Sequence, residues 1–227
     1  MDAACRFVQA RHRSRKRPWL CFDEWNVWYK NQEMDGAGKF APHLIEEVYN
    51  LEDALVVAGF LHSFIRHADV VKIANLAQIV NVIAPLLTRG DDLLVQSIFH
   101  PFEIFSRRRS GDSLRVHVEG PVYTGRTNGQ VTMIDASAIQ DGDSLHVFAT
   151  NRSLDQSCEV SVKVADRAIT ACADAELLTG PSPTSVNTFE QPDTIGAVGF
   201  SDATVRNGVA TFRLPPLSLL STTLRLG

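Results

Sequence analysis

The stretch Pro18-Trp19-Leu20-Cys21-Phe22-Asp23-Glu24-Trp25-Asn26-Val27-Trp28-Tyr29 decides how the rest of the chain is read. An apolar run over 18–22 passes into two adjacent carboxylates, an amide and the aromatics Trp25, Trp28 and Tyr29. A buried strand has this pattern where its C-terminal end opens into a polar, aromatic-lined pocket. Carboxylates meet the positive charge that develops at an anomeric carbon, and rings pack on apolar sugar faces, so these residue types suit a sugar-processing site. Spacing alone leaves a second reading open: an aromatic strand and loop closing a core, with Asp23 and Glu24 capping or solvated.

Downstream of it, 30–48 reads as a long loop, broken by Gly36, Gly38 and Pro42. Asn50 then opens a helix. Its side chain can cap free backbone N–H groups, and Glu52 and Asp53 favour the positive end of the helix dipole. Leu51, Leu55, Ala58, Leu61 and Ile65 recur at helical spacing, widened by Ala54, Val57 and Phe64. His62, Arg66 and His67 fall in the last turns, where the histidines read as surface or end-of-helix residues. A short buried strand, 69–74, follows. Strand, helix, strand is a βαβ unit of a parallel sheet. In a parallel barrel, Gln78 just past the second strand stands on the same rim as Glu24. Its plain alternative is a loop amide bonding to backbone.

Residues 80–87 continue as an apolar segment broken by Pro85, and 91–109 read as helix-rich, interrupted at Pro101. Arg107-Arg108-Arg109 marks a helix end, complementary to its dipole. From about Ser113 the period changes to two. Leu114, Val116 and Val118 alternate with polar residues, as do Leu145, Val147 and Ala149, and Cys158, Val160, Val162 and Val164. Further candidate strands are 131–134, 209–214 and 221–226, while 179–208 reads as containing a long loop. Short alternating strands between Gly, Asn, Asp and Pro turns indicate an antiparallel β-sandwich.

Upstream, residues 1–17 are poor in apolar residues and end in Arg11-His12-Arg13-Ser14-Arg15-Lys16-Arg17. The favoured reading is a solvated basic connection. A nucleic-acid or nuclear-localisation patch is the rival, but no aromatic side chain is interleaved with the charges, as single-strand binding would want. At 227 residues with net charge −4, the chain can bury a sizeable core and gives no general case for nucleic acid. No apolar run approaches membrane-spanning length, and no secretory signal is recognisable. Cys5, Cys21, Cys158 and Cys172 are scattered, without metal-ligand spacing, which fits a reduced, cytoplasmic setting.

The segment Phe22-Asp23-Glu24-Trp25-Asn26-Val27-Trp28-Tyr29 resembles the one that carries the nucleophilic glutamate in the α-L-arabinofuranosidases of glycoside hydrolase family 51. The resemblance continues through 49–55 (Tyr-Asn-Leu-Glu-Asp-Ala-Leu) and 71–85, and ends at Leu214-Pro215-Pro216-Leu217-Ser218. It implies the C-terminal part of a (β/α)8 TIM barrel followed by an antiparallel β-sandwich, an α/β plus all-β chain. Residues 1–17 form the basic segment, 18–112 the last strand–helix units of the catalytic barrel, and 113–227 the sandwich.

The implied activity is retaining release of terminal α-L-arabinofuranosyl groups from arabinan, arabinoxylan or related saccharides, without metal or cofactor. Glu24 matches the nucleophile. Trp28 and Gln78 match substrate-binding residues, Trp25 and Tyr29 shape the wall, and Asp23 is structural, pointing to the opposite face of a regular strand. Two strands cannot close an eight-stranded barrel, so the acid/base carboxyl and the earlier strands are expected elsewhere, in a longer product or a complementing N-terminal polypeptide. Relatives of this kind often form homo-oligomers. Asn31-Gln32-Glu33-Met34-Asp35-Gly36 imitates the family's acid/base segment, but Glu33 follows the nucleophile instead of preceding it and reads as a decoy. The alternative function is a non-catalytic carbohydrate-binding or assembly module derived from such an enzyme.

Overall fold

The computed structural model describes residues 1–13, 15–29, 38, 40, 45–127 and 129–227. Glu33 and most of the loop expected over 30–48 lie outside the described residues. Chain order begins with α1 (Asp2–Arg11), β1 (Leu20–Trp25), α2 (Leu51–Arg66) and β2 (Val71–Leu76). It continues with β3 (Leu86–Arg89), β4 (Asp92–Val95) and α3 (Phe99–Ser106). Then come β5 (Asp112–Leu114), β6 (Val122–Gly125), β7 (Gly129–Thr132), β8 (Ile134–Asp141), β9 (Ser144–Asn151) and β10 (Cys158–Val162). The last five are β11 (Ile169–Thr179), β12 (Gly196–Gly199), β13 (Ala203–Arg206), β14 (Val209–Leu214) and β15 (Ser218–Leu226).

Strands β1 and β2 pair in parallel with α2 between them in sequence, the βαβ unit that the periodicity predicts. Asn50 and Asp53 close α2 with a reciprocal capping box: Asp53 N donates to Asn50 Oδ1 (3.0 Å) and Asn50 N to Asp53 Oδ2 (2.8 Å). Between strand and helix, Trp25 packs on Phe60, Phe64 and Phe102, and Phe22 on Phe64. The same core takes Cys5 of α1, so 2–11 is a docked helix and not the solvated connection expected. A small apolar set, with Cys5 buried and Met1 beside it, was enough to seat it.

The sandwich is a six-stranded sheet, β12-β11-β15-β9-β8-β5, facing a three-stranded sheet, β10-β14-β13. Its core holds Leu145, Val147 and Ala149 of β9, Leu220 and Leu224 of β15, and Ala210, Phe212 and Leu214 of β14. The intervening residues of the larger sheet, Ile139, Phe148, Leu178 and Leu219, point the other way and pack on α2 and α3. Period-two alternation thus feeds two cores in three layers. The chain enters this sheet at Gly111, with φ +111°, where a Cβ would stand 2.1 Å from the Gln140 carbonyl oxygen.

Several expectations need correcting. Residues 86–95 form the β3–β4 hairpin, and only 99–106 of the expected helical stretch is α-helical, with Pro101 in its first turn. The alternation at 114–118 gives a strand only as far as Leu114. The stretch 179–208 does contain the long loop expected, over 180–195, and adds β12 and β13 after it, while β11 was not anticipated. His62 is fully buried, not at the surface: its Nδ1 lies 2.8 Å from Ser137 Oγ and its Nε2 3.0 Å from Thr150 Oγ1, across the α2–sheet interface.

Candidate active site

The end of β1 is irregular. Phe22 pairs with Ala74 and Trp25 with Leu76, so three steps on β1 match two on β2. This bulge turns both Phe22 and Trp25 toward α2 and leaves Asp23 and Glu24 exposed. The premise of a regular strand therefore fails, and with it the parity argument that sent Asp23 to the opposite face from Glu24. Trp25 is likewise a core residue, 5% exposed, instead of pocket wall. Among the described residues Glu24 has no hydrogen-bond or ion-pair partner.

Just beyond, the two loops of the parallel pair are tied together. Ala77 N donates to Trp25 O (3.1 Å), and Asn26 Nδ2 donates to Ala77 O (2.7 Å) and to Ile83 O. Ile83 O also accepts from Gln78 N (3.2 Å), and the Ala77–Gln78 peptide is cis. Ile83 itself is held at φ +41°, a costly region for a β-branched side chain. Gln78 and Glu24 thus sit on one rim of the βαβ unit, at the C-terminal ends of adjacent strands, both exposed. Trp28, on the loop leaving β1, is 60% exposed.

Behind this loop lies a group that the sequence reading did not assemble. Tyr29 Oη donates to the Asp53 carboxylate, Tyr29 N to Glu47 Oε1 (3.3 Å) and Tyr49 Oη to Val27 O (2.9 Å). Gln96 accepts from Tyr49 N (3.0 Å) and donates to the carbonyls of Glu47 (3.0 Å) and Ala84 (2.7 Å). Burial pushes the carboxyl pKa values of Glu47 and Asp53 up, against the hydrogen bonds from Tyr29, and from Asn50 at Asp53, that pull them down. Burial also raises both tyrosines, reinforced for Tyr29 by its bond to Asp53 and for Tyr49 by the charges of Glu47 and Asp53. Glu52-Asp53 read only as a helix start in the sequence; the apolar Val27 and Tyr49 gave no sign of their mutual bond.

Among the described residues, cavities of about 490, 810 and 580 Å³ are lined by other residues than Glu24, Trp28 and Gln78. Among the described residues no cluster of three or more His, Cys, Asp or Glu could hold a metal ion, and no helix is long and apolar enough to cross a membrane. Among the described residues the arrangement offers an exposed carboxylate without a partner, an exposed indole and an exposed primary amide at the C-terminal end of the parallel pair.

The family model for the α-L-arabinofuranosidase C-terminal domain matches residues 23–218. The chain belongs to that family. It is 35% identical over 222 residues to the intracellular exo-α-(1→5)-L-arabinofuranosidase of Streptomyces lividans, covering 95% of this chain and 34% of the relative. An intracellular enzyme of the same name from Bacillus subtilis is 39% identical over 168 residues, again 34% of its length. The family 51 α-L-arabinofuranosidase structure from Bifidobacterium longum superposes with a TM-score of 0.89 at 26% identity, over 99% of this chain and 45% of that one. The chain therefore matches a C-terminal portion of family 51 proteins and spans about a third of the length of these curated relatives.

Proposed function

We propose that this chain is the nucleophile-bearing C-terminal portion of a retaining α-L-arabinofuranosidase that releases terminal arabinofuranosyl groups from arabinose-containing saccharides. One observation carries the reading: in a chain of this family, Glu24 stands exposed, and without a partner among the described residues, at the C-terminal end of the parallel pair, on the rim it shares with Gln78. The ionised carboxylate attacks the anomeric carbon as the aglycone leaves, and water later displaces it from the covalent intermediate. A second carboxyl, about 5–5.5 Å away, protonates the leaving oxygen and then activates that water. It comes with the remaining barrel strands from polypeptide beyond these 227 residues, since β1 and β2 cannot close a barrel. Residues 18–112 are the end of that barrel and 113–227 its appended sandwich. The exposed indole of Trp28 packs on the furanose and the Gln78 amide bonds its hydroxyls. The saccharide on this reading is arabinan or arabinoxylan and the setting cytoplasmic; the relatives are named intracellular exo-α-(1→5)-L-arabinofuranosidases, which supports an arabinofuranosyl substrate and an intracellular place.

The test joins this chain to the preceding part of the Streptomyces lividans relative and assays an aryl α-L-arabinofuranoside. The chimera is expected to hydrolyse it. Glu24→Ala should lower turnover by roughly a thousandfold or more, with azide restoring aglycone release and yielding a glycosyl azide of inverted configuration. Undiminished turnover in Glu24→Ala would move the nucleophile elsewhere. The unjoined chain is expected to leave the substrate intact; turnover by it would show that a second carboxyl is already present.

A further inference from the structure

Residues that leave a strand into a surface connection are ordinarily mobile. Residues 26–29, which leave β1, are not built that way. The Asn26 side chain donates to the carbonyls of Ala77 and Ile83 and accepts from Val27 N (2.8 Å). Val27 O is held by Tyr49 Oη (2.9 Å). Tyr29 is fixed at both ends, its N–H on Glu47 Oε1 and its hydroxyl on the Asp53 carboxylate. Asp53 is in turn locked into the first turn of α2 by the capping box with Asn50. Among the described residues every member of 26–29 is thus anchored by hydrogen bonds except Trp28, which stays 60% exposed. An exposed indole on an anchored backbone is free to pack on an apolar sugar face.

We infer that Tyr29, braced by Asp53 at the head of α2, is a positioning residue that holds the Trp28 ring ready for the apolar face of a furanose bound at Glu24. The inference rests on the arabinofuranosidase reading. It assigns Tyr29 no contact with the sugar. Its part is to remove the cost of ordering the loop when the saccharide arrives, the preorganisation that raises affinity without adding a contact. Asp53 then serves twice, capping a helix and latching a binding loop.

The test labels the chain with 5-fluorotryptophan, which gives ¹⁹F resonances for Trp19, Trp25 and Trp28, assigned by single Trp→Phe variants. Trp28 is expected as a dispersed, broad line, and Tyr29→Phe should move it toward the sharp position of the free amino acid. Trp25, buried against Phe60, Phe64 and Phe102, reports the core and should not move. Asp53→Asn keeps an acceptor oxygen and should leave Trp28 near its original position. In the chimera described above, Tyr29→Phe should raise KM roughly tenfold, the loss of one hydrogen bond to a charged group, with kcat and its pH profile little changed. An unmoved Trp28 line in Tyr29→Phe, or Trp25 shifting along with it, would overturn the inference. An inactive wild-type chimera would instead count against the function, leaving the ¹⁹F arm to decide on the latch by itself.

Discussion

Strands β15 and β1 are both rich in apolar residues, yet they sit in opposite surroundings. In β15, Leu220, Leu224 and Leu226 face the three-stranded sheet while Leu219 faces α2 and α3, and eight of its nine residues are buried. Among the described residues, strand β1 packs against α2 and α3 on one side and is exposed on the other. Phe22 and Trp25 face α2, Cys21, Asp23 and Glu24 are exposed, and β2 is its one strand neighbour among the described residues. The open side also carries Ile73 at 50% and Trp19 at 69% exposure. The difference separates where stability resides from where the proposed chemistry would take place. The larger sheet of the sandwich is packed on both faces, whereas among the described residues Glu24 and Gln78 at the rim of the parallel pair are exposed, at the place proposed for the substrate.

If that contrast is real, substitutions in the doubly covered sheet should cost far more than substitutions on the rim. The largest effect is expected from Phe148→Ala. Phe148 is fully buried and stacks on Phe105 with ring centroids 4.1 Å apart, joining β9 to α3. Truncation should destabilise the chain by about 3–5 kcal/mol, measured by urea unfolding. A loss under about 1 kcal/mol would mean that the helices do not close this face.

His62 sharpens the same interface through pH. Burial, against the pull of Asp135, lowers its pKa to about 4, from 6.5 in the unfolded chain. The folded state therefore holds a neutral imidazole between Ser137 and Thr150, while the unfolded chain takes up a proton as pH falls below 6.5. The stabilisation is fully present above pH 6.5, declines between 6.5 and 4, and levels off below that. Its full span is on the order of 3 kcal/mol. The wild type minus His62→Gln difference in unfolding free energy, followed from pH 7.5 to 4, isolates this group; a flat difference would show that the imidazole is not buried neutral. A smaller loss, about 1–2 kcal/mol, is expected for Asn50→Ala, which removes the cap of α2 and one half of the box with Asp53.

Much of this architecture was legible in local pattern. The cap at Asn50, the apolar stripe of α2 and the alternation in β9, β10 and β14 each carry their signal within a few residues, because residues at helical or period-two spacing share a face. What escaped was set by distant contacts. Strand β11 (Ile-Thr-Ala-Cys-Ala-Asp-Ala-Glu-Leu-Leu-Thr) looks too polar for a sheet interior, but Asp174 and Glu176 are paired with Arg108. His62 looked like a helix-end histidine because its partners lie 75 and 88 residues away. At the rim, the residue types around Glu24 pointed to sugar chemistry, and the position of Gln78 followed from βαβ topology. The bulge between Phe22 and Trp25 and the bracing by Tyr29, Glu47 and Asp53 did not, since neither has a local signature.

The smallest stability effect is the most discriminating. Glu24 is exposed, and among the described residues it has no partner, so Glu24→Ala removes no buried area and no bond. Its unfolding free energy should match the wild type within about 0.5 kcal/mol. The same substitution is expected to abolish turnover in the joined enzyme, so the pair of measurements separates a residue kept for chemistry from one kept for folding. If Glu24→Ala instead destabilised the chain as a core substitution does, the carboxylate would be holding the end of β1 together. The open rim would then be a structural seam, and the contrast with β15 would lose its functional meaning.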